Sequence, residues 1–299
     1  MKRLMKWFSP IVKFFDKYLT PVRNFLKKYL TLSFFLKSVV LISAFATLFA
    51  LIFIVGYIFI KGVPHLKPSL FSLKYTSVNV SMMPAIINTL IMTFVSLVIA
   101  VPLGISTAIY LAEYARRGNK LVSLVGLTAE TLSGIPSIVY GLFGLLFFVT
   151  YIGMGYSILA GALTLAIMIL PLIMRTTEEA LRAVPDTYRE GSYGLGAGRL
   201  RTVFRIVLPS AMPGILAGVI LAIGRIVGET AALLYTAGSV AEIPKNIMSS
   251  GRTLSVHMYA LSSEGFNINE AYATAVVLLI MVLGINMVSS LVAKRFTKG

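Results

Sequence analysis

The chain has 299 residues, of which 57% are hydrophobic and 13% charged, and its mean hydropathy is +0.87. A soluble protein of this length needs a larger polar fraction to cover its surface, so the composition excludes a soluble globular fold and indicates an integral membrane protein. The formal net charge is +16 and there are no cysteines, which excludes disulfides, thiol chemistry and cysteine metal sites.

The N-terminal segment, residues 1–37, carries nine Lys or Arg residues and one acidic residue. Aromatic and aliphatic residues alternate with the basic ones, and prolines interrupt the pattern at Pro10 and Pro21. This predicts one or two short amphipathic helices that lie on anionic membrane lipid, so the positive charge does not indicate nucleic acid. No cleavage site follows, and we expect the next apolar run to remain as an anchor.

Six apolar runs are long enough to cross a membrane, and they predict an all-α integral membrane protein with six transmembrane helices. The runs cover residues 38–60, 84–112, 121–150, 157–175, 210–239 and 271–293. The third run contains Gly134-Ile-Pro136, which predicts a kinked or partly re-entrant helix.

The distribution of positive charge predicts the orientation of these spans. Of the 27 Lys and Arg residues, 21 lie in residues 1–37, 113–120, 175–209 and 294–299, and five lie in the loops on the other side. By the positive-inside rule, both termini are expected in the cytoplasm. The two histidines, His65 and His257, fall in the external loops without a partner at metal-ligand spacing. We expect both to be solvated loop residues, and we expect no metal site.

The longest internal loop has helical periodicity rather than the irregular sequence of a simple connection. The apolar positions of its two halves are Leu181, Val184 and Tyr188, then Leu200, Val203, Phe204 and Val207. Four glycines stand between the halves, at Gly191, Gly194, Gly196 and Gly198. The pattern predicts two short helices joined by a tight glycine turn, a shape that another protein can bind.

A motif of fixed spacing occupies this loop. Its members are Glu190, Gly191, Ser192, Gly196, Ile206, Leu208 and Pro209. The spacing resembles the cytoplasmic motif of ABC importer permeases, with two alanines of that motif replaced by Gly191 and Ser192. The resemblance implies a type I ABC importer permease fold in which residues 176–209 form coupling helices that bind a separate ATPase. Gly196 would allow the sharp turn, Glu190 would pair with nearby arginines or with the partner, and Pro209 would end the second short helix.

Three further stretches are similar to the PstA-type permeases of phosphate importers: residues 130–144, 178–197 and 224–238. This resemblance implies a permease core over residues 84–293, behind a first transmembrane helix at 38–60 and the basic segment 1–37. It also implies a multi-pass protein of a prokaryotic cytoplasmic membrane that moves inorganic phosphate by alternating access. Two readings remain beside it: transport of another oxyanion (phosphonate, sulfate or molybdate) by the same machinery, and an ATP-independent secondary transporter.

The resemblance also implies the partners. They are a homologous second permease subunit, two ATPase subunits and an extracytoplasmic phosphate-binding protein. The sequence has no G-x-x-x-x-G-K-[ST] loop, so ATP and Mg are expected on the partner ATPase. We therefore expect a transport subunit that is not an enzyme, without catalytic residues or a cofactor of its own.

Two charged residues near the centre of the fifth run are the candidate substrate-path residues. Arg225 is costly at this depth, and Glu229 stands one helical turn away, where it could hold the guanidinium. A guanidinium can bind two phosphate oxygens together, and Thr230 and Tyr235 could add hydroxyl donors. The alternative is a buried ion pair that locks helix packing. In the same run, Gly214/Gly218 and Gly224/Gly228 have the spacing that lets helices approach closely.

Overall fold

The computed structural model describes residues 32–115 and 120–297, and every regular element in these ranges is helical. The first five helices are α1 Leu32–Gly62, α2 Met83–Ile109, α3 Lys120–Ser133, α4 Ser137–Gly144 and α5 Ile158–Arg182. The others are α6 Asp186–Gly194, α7 Arg199–Thr202, α8 Leu208–Val227, α9 Ala231–Thr236, α10 Leu254–Glu264 and α11 Ile268–Thr297. Within the same ranges, π-helical turns extend α2, α4 and α7 at Tyr110–Tyr114, Leu145–Tyr151 and Val203–Val207. Short 3-10 turns follow α1 at Val63–His65 and Pro68–Phe71. The predicted amphipathic helices fall mainly on residues 1–31, outside the described residues.

The described helices agree with the predicted number of spans. Five are long and apolar enough to cross a membrane, and a sixth span results if the bent pair Val122–Ser133 and Ser137–Tyr151 is counted as one. The two members of that pair meet at 102°. Pro136 disfavours helical backbone at the residue before it, so α3 ends at Ser133 and α4 begins just after the proline. The predicted kink in the third run is confirmed.

The chain divides into two compact units, and the boundary in the sequence falls between Tyr57 and Ile58. In the first unit, α1 begins at Leu32, six residues before the predicted start of the first span. The rings of Phe49, Phe53 and Tyr57 stack along one face of α1, with neighbouring centroids 6.3 Å apart. This spacing of four residues is the one that brings side chains together on a helix.

In the second unit, α5 is the central helix and packs against α2, α3, α4 and α8. It extends to Arg182, seven residues beyond the predicted end of the fourth span. Lipid tails are as apolar as leucine, so helices in a membrane associate through close packing at small residues. A Cβ atom added at Gly104 of α2 would lie 2.8 Å from Cγ2 of Ile173 on α5. The α2–α5 contact therefore requires glycine.

The glycine pairs of α8 behave differently from each other. A Cβ atom at Gly214 would lie 2.6 Å from Cβ of Ala180, and one at Gly218 would lie 2.7 Å from Cβ of Thr176, both on α5. The predicted close approach is confirmed for this pair. It is wrong for Gly224 and Gly228, where an added Cβ meets no other helix within 4 Å among the described residues.

The segment between α9 and α10 returns across the bundle and is held by polar contacts. The side-chain amide of Asn88 donates to the carbonyls of Glu242 (3.0 Å) and Arg252 (3.1 Å), and the Leu254 N–H donates to Thr89 Oγ1 at 2.8 Å. Each partner is more than 150 residues away in sequence. These bonds anchor α10 against the first half of α2.

His257 lies on α10 and is fully buried, so its predicted place as a solvated loop residue is wrong. Burial and then the positive charge of Arg252 lower the pKa of His257 to about 4, although the backbone of Val80 acts in the opposite direction. The ring of Tyr75 packs edge-on against the imidazole, and the Arg252 guanidinium carbon lies 5.0 Å from the centre of the Tyr75 ring. The histidine is neutral at physiological pH.

Candidate functional site

The fifth predicted span, residues 210–239, is broken rather than continuous. α8 ends at Val227, and α9 begins at Ala231. Between them Glu229 accepts a hydrogen bond from the Ala232 N–H at Oε1 (3.1 Å), and its carbonyl accepts one from Ser255 Oγ (2.5 Å). Irregular backbone at membrane depth is tolerated only where protein or a cavity satisfies it. Here the glutamate side chain and α10 supply part of that satisfaction.

The break separates Arg225 from Glu229. Glu229 is 8% exposed and directs its carboxylate to the start of α9, and no ion pair joins it to Arg225 in the described residues. The expectation that Glu229 holds the guanidinium in place is therefore wrong, because the helix on which that spacing depends has already ended. Arg225 is half-buried, and its guanidinium makes no hydrogen bond or ion pair with any residue that the structure describes.

The break in the fifth span lies beside the bend in the third. A Cβ atom at Gly141 of α4 would lie 2.8 Å from Cα of Ala232 on α9, so the two short helices are in close contact. Tyr140 bridges the bend by donating its hydroxyl to the Leu132 carbonyl at 2.7 Å. The same Tyr140 lies within electrostatic range of Arg225. The bend between α3 and α4, the break between α8 and α9, and the Arg225 guanidinium, which has no hydrogen-bond partner in the described residues, thus lie in one region of the bundle.

The other two predicted path residues lie on the α9 side of the break, and both are half-buried. Thr230 immediately precedes α9, and its hydroxyl donates to the Gly228 carbonyl at 3.5 Å. Tyr235 lies within α9. Neither hydroxyl is hydrogen-bonded to Arg225 in the part of the chain that the structure describes.

The loop at the basic end of the bundle, where α2 finishes and α6 lies, contains the predicted glycine turn. Gly196 has φ +81°, a conformation that glycine adopts without strain, and it connects α6 to α7. The Ala197 N–H donates to the Ser192 carbonyl at 3.1 Å, and the hydroxyls of Ser192 and Thr202 lie 2.8 Å apart. Ser192 is buried, so a small residue is required where it replaces an alanine of the motif.

The second half of the loop differs from the prediction. Instead of a separate short helix ended by Pro209, residues Arg199–Val227 form one helix long enough to be a span. The π-helical turn Val203–Val207 ends two residues before Pro209, and such a turn changes the hydrogen-bond register close to the proline, which donates no N–H. The helix therefore continues through Ile206 and Leu208, both of which are half-buried.

The remaining motif residues face away from the bundle. Glu190 is exposed and makes no ion pair within the described residues, so its expected pairing with a nearby arginine of this chain is wrong. Gly191 is also exposed, and a Cβ atom there would meet no described atom within 4 Å. Leu195, in the turn, is 91% exposed. Exposed apolar residues also flank the turn: Tyr188, Tyr193, Leu200 and Phe204.

An ion pair that sequence reasoning missed joins this loop to α2. Arg189 Nη2 lies 2.6 Å from Glu113 Oε1, and the two side chains are 15% and 5% exposed. The hydrogen bond with Glu113 raises the pKa of Arg189, although burial acts in the opposite direction. The signal that the sequence offered for this pair was Glu113, an acidic residue at the start of the otherwise basic loop 113–120.

Comparison with known proteins gives consistent matches. The sequence profile of the family described as "Binding-protein-dependent transport system inner membrane component" matches residues 100–299. The chain is 38% identical to the "Probable ABC transporter permease protein YqgI" of Bacillus subtilis (strain 168), over 78% of this chain and 85% of that protein. It is 36% identical to the "Phosphate transport system permease protein PstA 1" of Mycobacterium tuberculosis (strain CDC 1551 / Oshkosh), over 70% of this chain and 69% of that protein.

Solved structures agree on the fold. A chain of a bacterial alginate ABC transporter, solved with an alginate pentasaccharide-bound periplasmic protein, matches with a TM-score of 0.64 at 17% identity. That match covers 91% of this chain and 98% of the other. A chain of the MetNI methionine ABC transporter in an inward-facing conformation matches with a TM-score of 0.55 at 22% identity, over 72% of this chain and 93% of the other. The fold is that of type I ABC importer permeases.

Proposed function

The chain belongs to the family of binding-protein-dependent transport system inner membrane components, the permease subunits of ABC importers, and we propose that it moves inorganic phosphate across the cytoplasmic membrane by alternating access. The similarity to a permease named for phosphate transport supports this substrate. Membership of an ABC importer family also excludes the secondary-transporter reading of the sequence.

The uncommitted guanidinium of Arg225 is the observation that carries the substrate proposal. A charged side chain within a span is costly, and such residues usually mark a substrate or ion path. Arg225 is half-buried and has no acidic partner in the described residues, so it can contact a passing anion without first breaking an ion pair. Broken helices next to it, at 134–136 and 228–230, are typical of transport sites near the membrane midplane.

The other path residues take different roles in this proposal. Thr230 and Tyr235 are half-buried and offer hydroxyls to a phosphate that has reached the break. Glu229 is committed to the Ala232 N–H, so it stabilises the start of α9 and makes no direct contact with the substrate. The negative charge of Glu229 near the path favours release, because an anion close to a carboxylate is bound less tightly.

The remaining assignments concern partners and orientation. We propose a complex with a homologous second permease subunit, two ATPase subunits that bind ATP and Mg, and an extracytoplasmic phosphate-binding protein. The exposed Glu190, Leu195 and neighbouring apolar residues are available to bind the ATPase. We propose that both termini and the loop 176–209 lie in the cytoplasm and that the basic segment 1–37 binds anionic lipid; the distribution of Lys and Arg along the sequence supports both.

Transport by the purified complex in proteoliposomes tests this proposal. We expect ATP-dependent uptake of radiolabelled inorganic phosphate, and no uptake by this chain alone. Arg225→Gln should assemble normally, because no partner among the described residues loses a bond. Uptake should fall about 10- to 100-fold through loss of charged hydrogen bonds to the anion. Arg225→Lys keeps the charge but not the bidentate geometry, so its uptake should lie between that of wild type and that of Arg225→Gln.

Three outcomes would contradict parts of the proposal. Uptake of sulfate, molybdate or phosphonate, and not of phosphate, would show that the complex transports another oxyanion. Loss of assembly in Arg225→Gln would show that Arg225 serves helix packing. Full activity of a correctly assembled Arg225→Gln complex would remove Arg225 from the path.

A further inference from the structure

The helix that bears the coupling motif has little apolar attachment to the rest of the bundle. Within α6, only Ser192 is buried. A short link, residues 183–185, separates α6 from α5, and the turn at Gly196 separates it from α7. A helix with so few buried contacts needs specific polar contacts to keep a defined position.

Arg189 supplies those contacts on the α6 side. Its guanidinium donates to Glu113 through Nη2 (2.6 Å) and Nε (3.2 Å), to the Val184 carbonyl through Nη1 (2.8 Å), and to the Leu181 carbonyl through Nη2 (2.9 Å). The two carbonyls belong to the end of α5 and the link that follows it. One side chain on α6 therefore holds both α5 and α2.

Glu113 is held from a second direction by the other arm of the loop. Arg199, the first residue of α7, donates to the Glu113 carbonyl, and its guanidinium carbon lies 5.0 Å from the centre of the Tyr114 ring. Glu113 and Tyr114 form the π-helical turn that ends α2. The end of α2 thus lies between an arginine of α6 and an arginine of α7.

We infer that the Glu113–Arg189 ion pair is a positioning contact, which makes α6 and the end of α2 move as one body. This rests on the proposed function, in which a partner ATPase displaces α6. Within the described residues it is the one ion pair between α6 and another helix, since the other ion pair of Arg189, with Asp186, stays inside α6. Both side chains are well shielded from water, so the pair is less screened than a surface pair. Motion imposed on α6 therefore reaches α2 directly, as well as through α5.

The test uses the assembled complex and spin labels on the two helices. The chain has no native cysteine, so Ser106→Cys on α2 and Thr187→Cys on α6, both at exposed positions, give one label pair within this chain, which is labelled before the complex is assembled. The distance between the labels is measured in the resting state and after trapping with ATP and vanadate. We expect one unchanged distance in the otherwise wild-type chain, and a distance that changes or broadens on trapping in Glu113→Gln.

A matched control removes an ion pair of the same length that joins no two helices. Arg182 and Glu178 also lie 2.6 Å apart, but both belong to α5 and the Arg182 side chain is exposed. Glu178→Gln should behave as wild type in the distance measurement. Arg189→Lys keeps the charge but loses the bidentate contact with Glu113, so we expect an intermediate result; it also serves if Glu113→Gln fails to assemble.

The second readout is the amount of phosphate moved per ATP hydrolysed, with inorganic phosphate as the probe. Glu113→Gln should still hydrolyse ATP, while the transport ratio falls about 2- to 30-fold, the range expected for loss of one coupling contact. An unchanged distance together with a wild-type ratio in Glu113→Gln would overturn the inference. If the wild-type complex moves no phosphate, the proposed substrate is wrong, and the distance measurement still decides whether the two helices move together.

Discussion

The contact between α5 and α8 can be tested with two alanine substitutions on one helix. In Gly218→Ala the new Cβ atom lies 2.7 Å from Cβ of Thr176 and closer still to its hydroxyl oxygen, so α5 and α8 must separate. In Gly224→Ala the new Cβ atom meets nothing within 4 Å in the part of the chain that the structure describes. Both substitutions lie inside α8, Leu208–Val227, and both replace the same residue type.

The expected magnitudes follow from this difference in space. Alanine is favoured over glycine in a helix interior by about 1 kcal/mol, and both variants gain this amount. Forcing an extra methyl group into a packed contact costs about 1–3 kcal/mol, and only Gly218→Ala bears this cost. Gly218→Ala should therefore be less stable than Gly224→Ala by about 1–3 kcal/mol, because the shared helix term cancels.

Thermal unfolding of the purified variants in detergent, followed by the helical circular dichroism signal, measures this difference. We expect Gly224→Ala to melt at or above the wild-type temperature, and Gly218→Ala below Gly224→Ala by several degrees. Equal melting temperatures for the two variants would mean that α5 and α8 are not in close contact at Gly218.

Three further predictions concern residues outside the candidate membrane spans. The pKa of His257 is about 4 in the folded protein and about 6.5 in the unfolded chain. Its contribution to stability is therefore complete above pH 6.5 and is lost as the pH falls towards 4, by about 3 kcal/mol in total. Plots of the unfolding free energy against pH for wild type and His257→Gln should differ in slope over that interval, and parallel plots would contradict this prediction. Ser192→Ala should cost about 1 kcal/mol, since it removes the hydrogen bond with Thr202, and a larger loss on chemical unfolding would indicate a wider rearrangement. Gly196→Ala should lower the free energy of unfolding by about 1–2 kcal/mol, because φ is +81° there, and should weaken ATPase binding in a pull-down assay. Gly198→Ala, where φ is −73°, should bind the ATPase normally.

Local features of the sequence predicted the parts of the fold that depend on local constraints. The bend near Pro136 follows from the backbone restriction that proline imposes on its neighbour. The turn at Gly196 follows from the freedom of glycine to take positive φ. Span number followed from apolar length alone, because a helix must be long enough to cross the bilayer.

Predictions that assumed an uninterrupted helix were less successful. Spacing of four residues places Arg225 and Glu229 on one face only if the helix continues, and it ends at Val227. Pro209 was expected to end a helix, but the π-helical turn Val203–Val207 allows the helix to pass through it. In both cases the local sequence allowed more than one backbone path, and contacts with other helices selected one.

Apolar length and motif spacing are properties of neighbouring residues, so the sequence alone was enough to indicate a membrane protein of this family and to predict six spans, a coupling motif and a candidate path. Which residues come into contact depends on how the helices pack in three dimensions. Ser255 supports the break at Glu229 from 26 residues away, and Arg189 pairs with Glu113 across 76 residues of chain. Such pairs form because packing brings distant polar groups together where water is excluded, and each must then find a partner within the protein.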